Sequence, residues 1–158
     1  PKKLWEDTYE FQYNDLDELE DLLKEHGDET AAIMITPIGH PLAANVEMPK
    51  PGFLEGVRAL ADKYGIVLVF DEIRTGFRYD LGGAQNILGV TPDLSTFGKA
   101  MANGYPIGAV VGKEEHMKVL ADNVFLSSTF FPNSLEQVAA LKTIEILERD
   151  NIIEKVKE

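Results

Sequence analysis

The stretch FLEGVRALADKYGIVLVFDEI, residues 53–73, joins a helical pattern to a strand pattern, and this pairing decides the fold class. Apolar residues recur at helical spacing in its first part, at Leu54, Val57, Leu60 and Tyr64. Gly65 follows them as a typical helix end. From Ile66 the chain is continuously apolar as far as Phe70, which indicates a strand buried on both faces. A helix that leads directly into a buried strand is typical of α/β proteins.

A second helix–strand pair precedes this one. Residues 14–27, NDLDELEDLLKEHG, predict an amphipathic helix that Asn14 caps and Gly27 ends. Residues 31–38, AAIMITPI, predict another strand buried on both faces. A proline-punctuated loop, residues 39–52, leads from this strand to the helix quoted first. The resulting strand–helix–strand unit predicts parallel pairing with a right-handed crossover.

The remaining elements extend the same pattern. Two shorter strands are predicted at DLSTFG, residues 93–98, and at GAVVG, residues 108–112. The sequence SLEQ at 134–137 has the spacing of a capping box and predicts a helix from Leu135 to about Glu148. We therefore expect an α/β fold with a mostly parallel sheet and helices on both faces, in a single domain over residues 1–158.

Composition argues against several functional classes. The net charge of −12 makes nucleic acid and anionic membrane surfaces poor partners. No apolar run approaches the roughly 20 residues of a membrane helix, and the start of the chain does not resemble a signal peptide. The chain has no cysteine, so disulfides and thiolate metal sites are excluded. We expect a cytoplasmic protein.

Charged residues stand at the ends of two predicted strands. In open α/β sheets, ligands bind beyond the carboxyl ends of the strands. Asp71 and Glu72 end the second buried strand, and Lys99 follows DLSTFG, so a carboxylate and a lysine are expected to face one crevice. Asp71 also has an ordinary interpretation, because acids at strand ends often cap a helix or pair with an arginine, and Arg74 and Arg78 are close in sequence.

Lys99 stands in unusual surroundings for a lysine. In STFGKAMANGYPIGA, residues 95–109, its neighbours are apolar or glycine, and no other charged residue lies between Asp93 and Lys113. A lone lysine is usually solvated, but apolar surroundings disfavour an ammonium and free the amine as a nucleophile. Schiff-base chemistry needs such an amine, and a carboxylate such as Asp71 is the matching partner for the pyridinium nitrogen of pyridoxal phosphate (PLP).

Three blocks of the sequence carry a family resemblance. LVFDEIRTGFR (68–78), GVTPDLSTFGKAMANGYPIGAVVG (89–112) and SSTFFPNSLEQVAALKTIEIL (127–147) resemble the class III, fold type I PLP-dependent aminotransferases. The blocks occur in the order and spacing of that family, and the resemblance covers roughly residues 30–150. It is closest to the branch that contains glutamate-1-semialdehyde aminomutase.

The resemblance implies roles for four residues. Lys99 would bind pyridoxal 5'-phosphate as a Schiff base and carry the proton between cofactor and substrate carbons. Asp71 would keep the pyridine nitrogen protonated, and Ile73 would pack on one face of the ring. Thr129 would bind the cofactor phosphate across the interface of a homodimer. The implied activity is amino-group transfer from a small-molecule amino donor to a keto or aldehyde acceptor.

The chain departs from the family pattern after its first predicted strand. Relatives commonly have Glu-Pro there, whereas this chain has Thr36-Pro37, followed by IGHPLAANVEMP. His40 falls where the branch often has a small polar residue near the substrate, although a lone loop histidine is more often exposed or structural. If His40 does face the site, we expect a substrate other than glutamate semialdehyde.

Members of the resembled family are much longer than this chain. We expect their glycine-serine phosphate loop, ring-stacking aromatic residue and C-terminal small domain to lie outside residues 1–158, which would form the central segment of the large PLP-binding domain. That segment alone is expected to lack turnover and to self-associate through exposed apolar surface. Two alternatives stay open, a PLP-dependent amino-acid racemase or epimerase, and a cofactor-free α/β fragment that is inactive alone or acts as an interaction module.

Overall fold

A computed structural model describes residues 6–39, 45–125, 127, 129 and 133–156. The strands within these ranges are β1 (Ala32–Ile35), β2 (Val67–Asp71), β3 (Leu94–Phe97) and β4 (Ala109–Gly112). The helices are α1 (Leu16–His26), α2 (Phe53–Tyr64), α3 (Ala84–Leu88), α4 (Glu114–Asn123), α5 (Ser134–Arg149) and α6 (Ile152–Lys155). Short 3₁₀ turns cover Gly27–Glu29 and Lys99–Ala102. Among the helices so described, none is long and apolar enough to cross a membrane.

The strands form one sheet in the order β1-β2-β3-β4. Strands β2 and β3 run parallel, with Asp71 opposite Thr96, and β3 pairs with β4 in the antiparallel direction, with Ser95 opposite Val111. The connection from β3 to β4, residues 98–108, contains only the short turn Lys99–Ala102 and no crossover helix, and such a connection favours an antiparallel pair. The expected α/β class with a mostly parallel sheet is confirmed, whereas the handedness of the crossover stays a prediction.

The chain divides into two compact units, and the first comprises Pro1–Ile33 and Ile38–Leu68. Its helices α1 and α2 pack against each other through apolar side chains that include the buried Leu19, Leu23 and Val57. Close approach is possible because two helix-facing positions are glycine. A methyl group on Gly56 would collide with Leu16, and one on Gly27 would collide with the Tyr64 ring.

The start of α1 differs from the sequence prediction. The cap is Asp15, whose side chain accepts a hydrogen bond from the backbone N–H of Glu18 at 2.9 Å. Asn14, the predicted cap, adopts a positive φ of 68°, and its side chain binds the backbone of Met48 and Lys50 at 3.0 and 2.7 Å. The two residues both suit a cap, and the long-range bonds to the 48–50 segment decide which one is used.

The start of α5 shows a similar displacement. Asn133 caps this helix by accepting a hydrogen bond from the N–H of Leu135 at 3.1 Å, so the capping box predicted at Ser134 is wrong by one residue. Both residue types are good caps, and Asn133 is the one with extended backbone. The C-terminal prediction for α2 is confirmed, because Gly65 ends the helix in the left-handed conformation.

Burial along β1 contradicts the expectation of a strand hidden on both faces. Ile33 and Ile35 are buried, but Met34 between them is 57% exposed. β1 lies at one end of the strand order, and its short apolar run does not distinguish one buried face from two. In β2 the expectation holds better, since Leu68 and Phe70 are fully buried and the other three residues of the strand are half-buried.

The second unit, Met34–Pro37 and Val69–Glu158, has an apolar cluster behind the end of β3. Its buried members are Phe97, Met101, Ala102 and Ala140. Helix α5 packs against the turn Lys99–Ala102, and it supplies Ala140 and the partly buried Ile144 to the cluster. The turn that carries Lys99 is therefore fixed from behind by apolar packing.

Asp15→Ala should lower the free energy of unfolding by about 1 kcal/mol, because the N–H of Glu18 loses its acceptor. Asp17→Ala is the matched control, since it removes an acid from the same helical turn. In the described part of the structure Asp17 accepts no side-chain hydrogen bond, so its loss should amount to a few tenths of a kcal/mol through the helix dipole. Urea titration of the full-length variants measures both values. Equal losses would mean that charge, and not the hydrogen bond, holds this helix start.

Candidate active site

Asp71 ends β2 with its carboxylate half-buried. One oxygen, Oδ1, accepts hydrogen bonds from the backbone N–H of Ile73 at 3.0 Å and from the hydroxyl of Thr96 at 3.4 Å. Over the described ranges, no ion pair joins Asp71 to Arg74 or Arg78, and Asp71 caps no helix. The two ordinary interpretations of this acid therefore find no support in its contacts.

Lys99 follows β3 after Gly98, whose backbone is extended. Its own φ is 43°, in the left-handed region that costs a side chain other than glycine roughly 1–2 kcal/mol. The side chain is exposed, and among the described residues its ammonium has no hydrogen bond or ion pair. The apolar setting expected from the sequence applies to the backbone neighbours, since Phe97 and Met101 are buried, and not to the amine in this chain.

The parallel register of β2 and β3 brings three of the predicted residues to one end of the sheet. Asp71 lies opposite Thr96, and Lys99 comes three residues after Thr96. The side chain of Ile73 lies against Gly98, where an added Cβ would be 3.8 Å from Ile73 Cγ2. Asp71, Ile73 and Lys99 therefore all lie at the carboxyl ends of β2 and β3.

Other predicted residues are not brought to this place. Thr129 lies exposed in a turn between α4 and α5, and no contact within the described part of the chain joins it to Lys99 or Asp71. Thr36 follows β1 and is half-buried beside the buried Pro37. His40 lies outside the described residues.

Glu72 is the site neighbour whose role the sequence did not reveal. It is fully buried, and its carboxylate accepts hydrogen bonds from the backbone N–H groups of Ala84 and Gln85, each at 3.0 Å, and from the hydroxyl of Thr75. The carboxylate therefore caps α3 from outside the helix and closes the loop of residues 73–83. Gly82 and Gly83 before a short helix give only a weak sequence signal for this role, because the helix N–H groups lie 12 and 13 residues from Glu72.

Gly83→Ala should destabilise this loop strongly, by about 3 kcal/mol or more. Gly83 has φ 87° and ψ 178°, a region nearly restricted to glycine, and an added Cβ would lie 2.6 Å from Glu72 Oε1. Gly89→Ala is the matched control at the other end of α3, with φ 71° but open space around it, and should cost about 1–2 kcal/mol. Amide hydrogen exchange of Ala84 and Gln85 in the full-length protein measures the difference. Equal protection of these two amides in both variants would contradict the role of Glu72 as their hydrogen-bond acceptor.

Comparison with known proteins gives concordant results. The family model for class-III aminotransferases matches residues 4–158. The chain is 69% identical over 156 residues to a 3-aminobutyryl-CoA aminotransferase of Cloacimonas acidaminovorans (strain Evry), covering 99% of this chain and 38% of the relative. It is 43% identical over 162 residues to a glutamate-1-semialdehyde 2,1-aminomutase of Syntrophobacter fumaroxidans, covering 100% of this chain and 36% of the relative.

Solved structures of transaminases share the fold of this chain. An omega-transaminase from Sphaerobacter thermophilus matches with a TM-score of 0.85 and 37% identity, over 93% of this chain and 34% of that one. The PLP internal aldimine form of the Sphingopyxis sp. MTA144 FumI protein matches with a TM-score of 0.83 and 33% identity, over 89% and 34%. The chain thus spans somewhat more than a third of the curated relatives that it matches. By its sequence and its fold, this chain belongs to the class-III aminotransferase family.

Proposed function

We propose that this chain contributes the cofactor-binding centre of a PLP-dependent aminotransferase. The observation that carries the proposal is the β2–β3 register, in which Asp71 lies opposite Thr96 and Lys99 follows three residues later, with Ile73 against Gly98. A nucleophilic amine, a carboxylate and an apolar side chain thereby share one end of the sheet, the end at which α/β proteins bind ligands. Family membership supports the same chemistry.

The residues present fit PLP. The Lys99 amine has no partner among the described residues, and hydrogen bonds within them engage only Oδ1 of Asp71. An amine and a carboxylate oxygen are therefore available to a ligand that needs one of each. When bound, PLP supplies an aldehyde that condenses with amines and a ring that withdraws electrons from the reacting carbon.

Each residue has a distinct task in this proposal. Lys99 acts through Nζ, first as the nucleophile that holds the cofactor and then as the group that takes up and returns a proton. Asp71 provides the negative charge that keeps a proton on the ring nitrogen. Ile73 offers an apolar surface that excludes water from one face of the ring. Thr129 of the partner subunit would bind the phosphate, and the homodimer that this requires stays a prediction, as does a cytoplasmic location.

For the substrate we propose a 3-aminoacyl-CoA thioester as amino donor, with a keto acid as acceptor. The identity of 69% to the 3-aminobutyryl-CoA aminotransferase, over nearly the whole chain, supports this class. The second candidate is aminomutase activity on glutamate 1-semialdehyde, supported by 43% identity to an aminomutase. Thr36, where the resembled family commonly has glutamate, is consistent with a changed substrate.

Lys99 should be the residue that PLP modifies. Borohydride reduction of the full-length protein with PLP, followed by peptide mapping, should place the pyridoxyl label on the peptide that contains Lys99. Lys99→Ala should abolish that label and lower turnover at least about 10⁴-fold, because nucleophile and proton carrier are lost together. Label on Lys63 or Lys113 in the wild type would contradict the assignment.

The substrate class should be separable in one pair of assays. The full-length enzyme should convert 3-aminobutyryl-CoA and a keto acid with a kcat/KM at least about tenfold above that for glutamate 1-semialdehyde. The first reaction needs both substrates, since the amino group leaves one molecule and enters another. The aminomutase reaction is a net isomerisation of one substrate and needs no separate acceptor. A higher kcat/KM for glutamate 1-semialdehyde without acceptor would establish the second candidate instead.

A further inference from the structure

The two carboxylate oxygens of Asp71 have different surroundings. Oδ1 accepts from two donors, the N–H of Ile73 at 3.0 Å and the hydroxyl of Thr96 at 3.4 Å. Within the described residues, no donor lies on Oδ2. The torsion that turns a carboxylate about its Cβ–Cγ bond is broad, so an aspartate needs fixed donors to hold one oxygen in one direction.

Both donors stand on backbone that is itself held. Thr96 lies opposite Asp71 in the parallel pair, and its carbonyl accepts from the N–H of Glu72 at 2.9 Å. Its β-branched side chain has few rotamers in a strand. The turn that carries Ile73 is closed by a bond from the N–H of Gly76 to the carbonyl of Glu72 at 2.8 Å. The two donors can therefore fix the orientation of the Asp71 carboxylate, because they do not shift when the carboxylate turns.

We propose that Thr96 is a positioning residue for the cofactor, which acts by holding Oδ1 of Asp71 so that Oδ2 is presented to the ring nitrogen. The inference rests on the proposed function and extends it to a residue that does not touch the ring. In the absence of the hydroxyl, the N–H of Ile73 alone holds the carboxylate. The carboxylate then adopts a wider range of orientations, and Oδ2 points at the ring nitrogen for less of the time.

The sign of the effect separates positioning from a simple influence on charge. A donor on Oδ1 withdraws electron density from the carboxylate. If Thr96 acted only in this way, its removal would make Asp71 a better acceptor and tighten PLP binding. A positioning hydroxyl predicts the reverse, because a misdirected carboxylate binds the ring nitrogen less well.

The test uses the full-length protein and PLP labelled with ¹⁵N in the ring. Dissociation constants for PLP and the ring ¹⁵N chemical shift as a function of pH are measured for Thr96→Val, Thr96→Ala and Thr96→Ser. Valine keeps the branched shape without the hydroxyl, alanine removes both, and serine keeps the hydroxyl. Ser95→Ala is the matched control, since Ser95 is buried on the same strand and its hydroxyl lies 3.4 Å from Gln85 Nε2.

We expect valine and alanine to weaken PLP binding about fivefold and to lower the pH at which the ring nitrogen loses its proton. Serine and the Ser95→Ala control should stay within about twofold of wild type. Unchanged or tighter binding in the valine and alanine variants would overturn the proposal, as would a serine variant that behaves like valine. If one hydroxyl-free variant does not fold, the other decides.

Asp71→Asn distinguishes this inference from the function on which it rests. Suppose that Asp71→Asn greatly lowers the pH at which the ring nitrogen loses its proton, while the Thr96 variants leave it unchanged. That result would overturn the role of Thr96 alone. Full protonation of the ring in Asp71→Asn, or no PLP binding by the wild type, would overturn the proposed function and the inference together.

Discussion

The second unit depends most on one buried charge, the carboxylate of Glu72. Removing an ionised carboxylate from water costs several kcal/mol unless hydrogen bonds replace the lost hydration. Thr75, Ala84 and Gln85 supply that replacement, and the backbone of Glu72 bonds to Thr96. Because the loss of any one donor would leave the charge less well compensated, these hydrogen bonds hold the loop, the helix and the neighbouring strand together. Asp71 and Ile73 flank this residue in the chain.

Much of this arrangement follows from patterns that act over short distances. Helical spacing and a terminal glycine located α2, and continuous apolar residues located β2. Once two strands are parallel neighbours, their carboxyl ends coincide, so the meeting of Asp71 and Lys99 at one edge could be predicted from strand positions alone. The interpretation of Asp71 as a ligand-binding acid drew on residue type, position and the family resemblance together, and it stays a prediction.

Two features that escaped prediction depend on distant partners. Asp15 and Asn14 are equally good caps in sequence, and only the bonds of Asn14 to the 48–50 segment separate them. The acceptor role of Glu72 spans 12 and 13 residues and has no periodic signature. Thr129 lies in a turn, and its predicted task concerns a second subunit, so its contacts within one chain carry no information on that task.

The left-handed backbone at Lys99 has a consequence for how this protein can change. Five non-glycine residues in the described ranges have positive φ, and Asn14, Asn103 and Asn151 are of the type that tolerates it best. Phe77 is held there by its ring packing on Phe97. Lys99 is not of a tolerant residue type, and no ring contact holds it among the described residues. Glycine or asparagine would relieve the backbone strain at that position. Under the proposed function, a change of Lys99 to glycine or asparagine would gain backbone stability but lose the amine, so stability and chemistry oppose each other at this position.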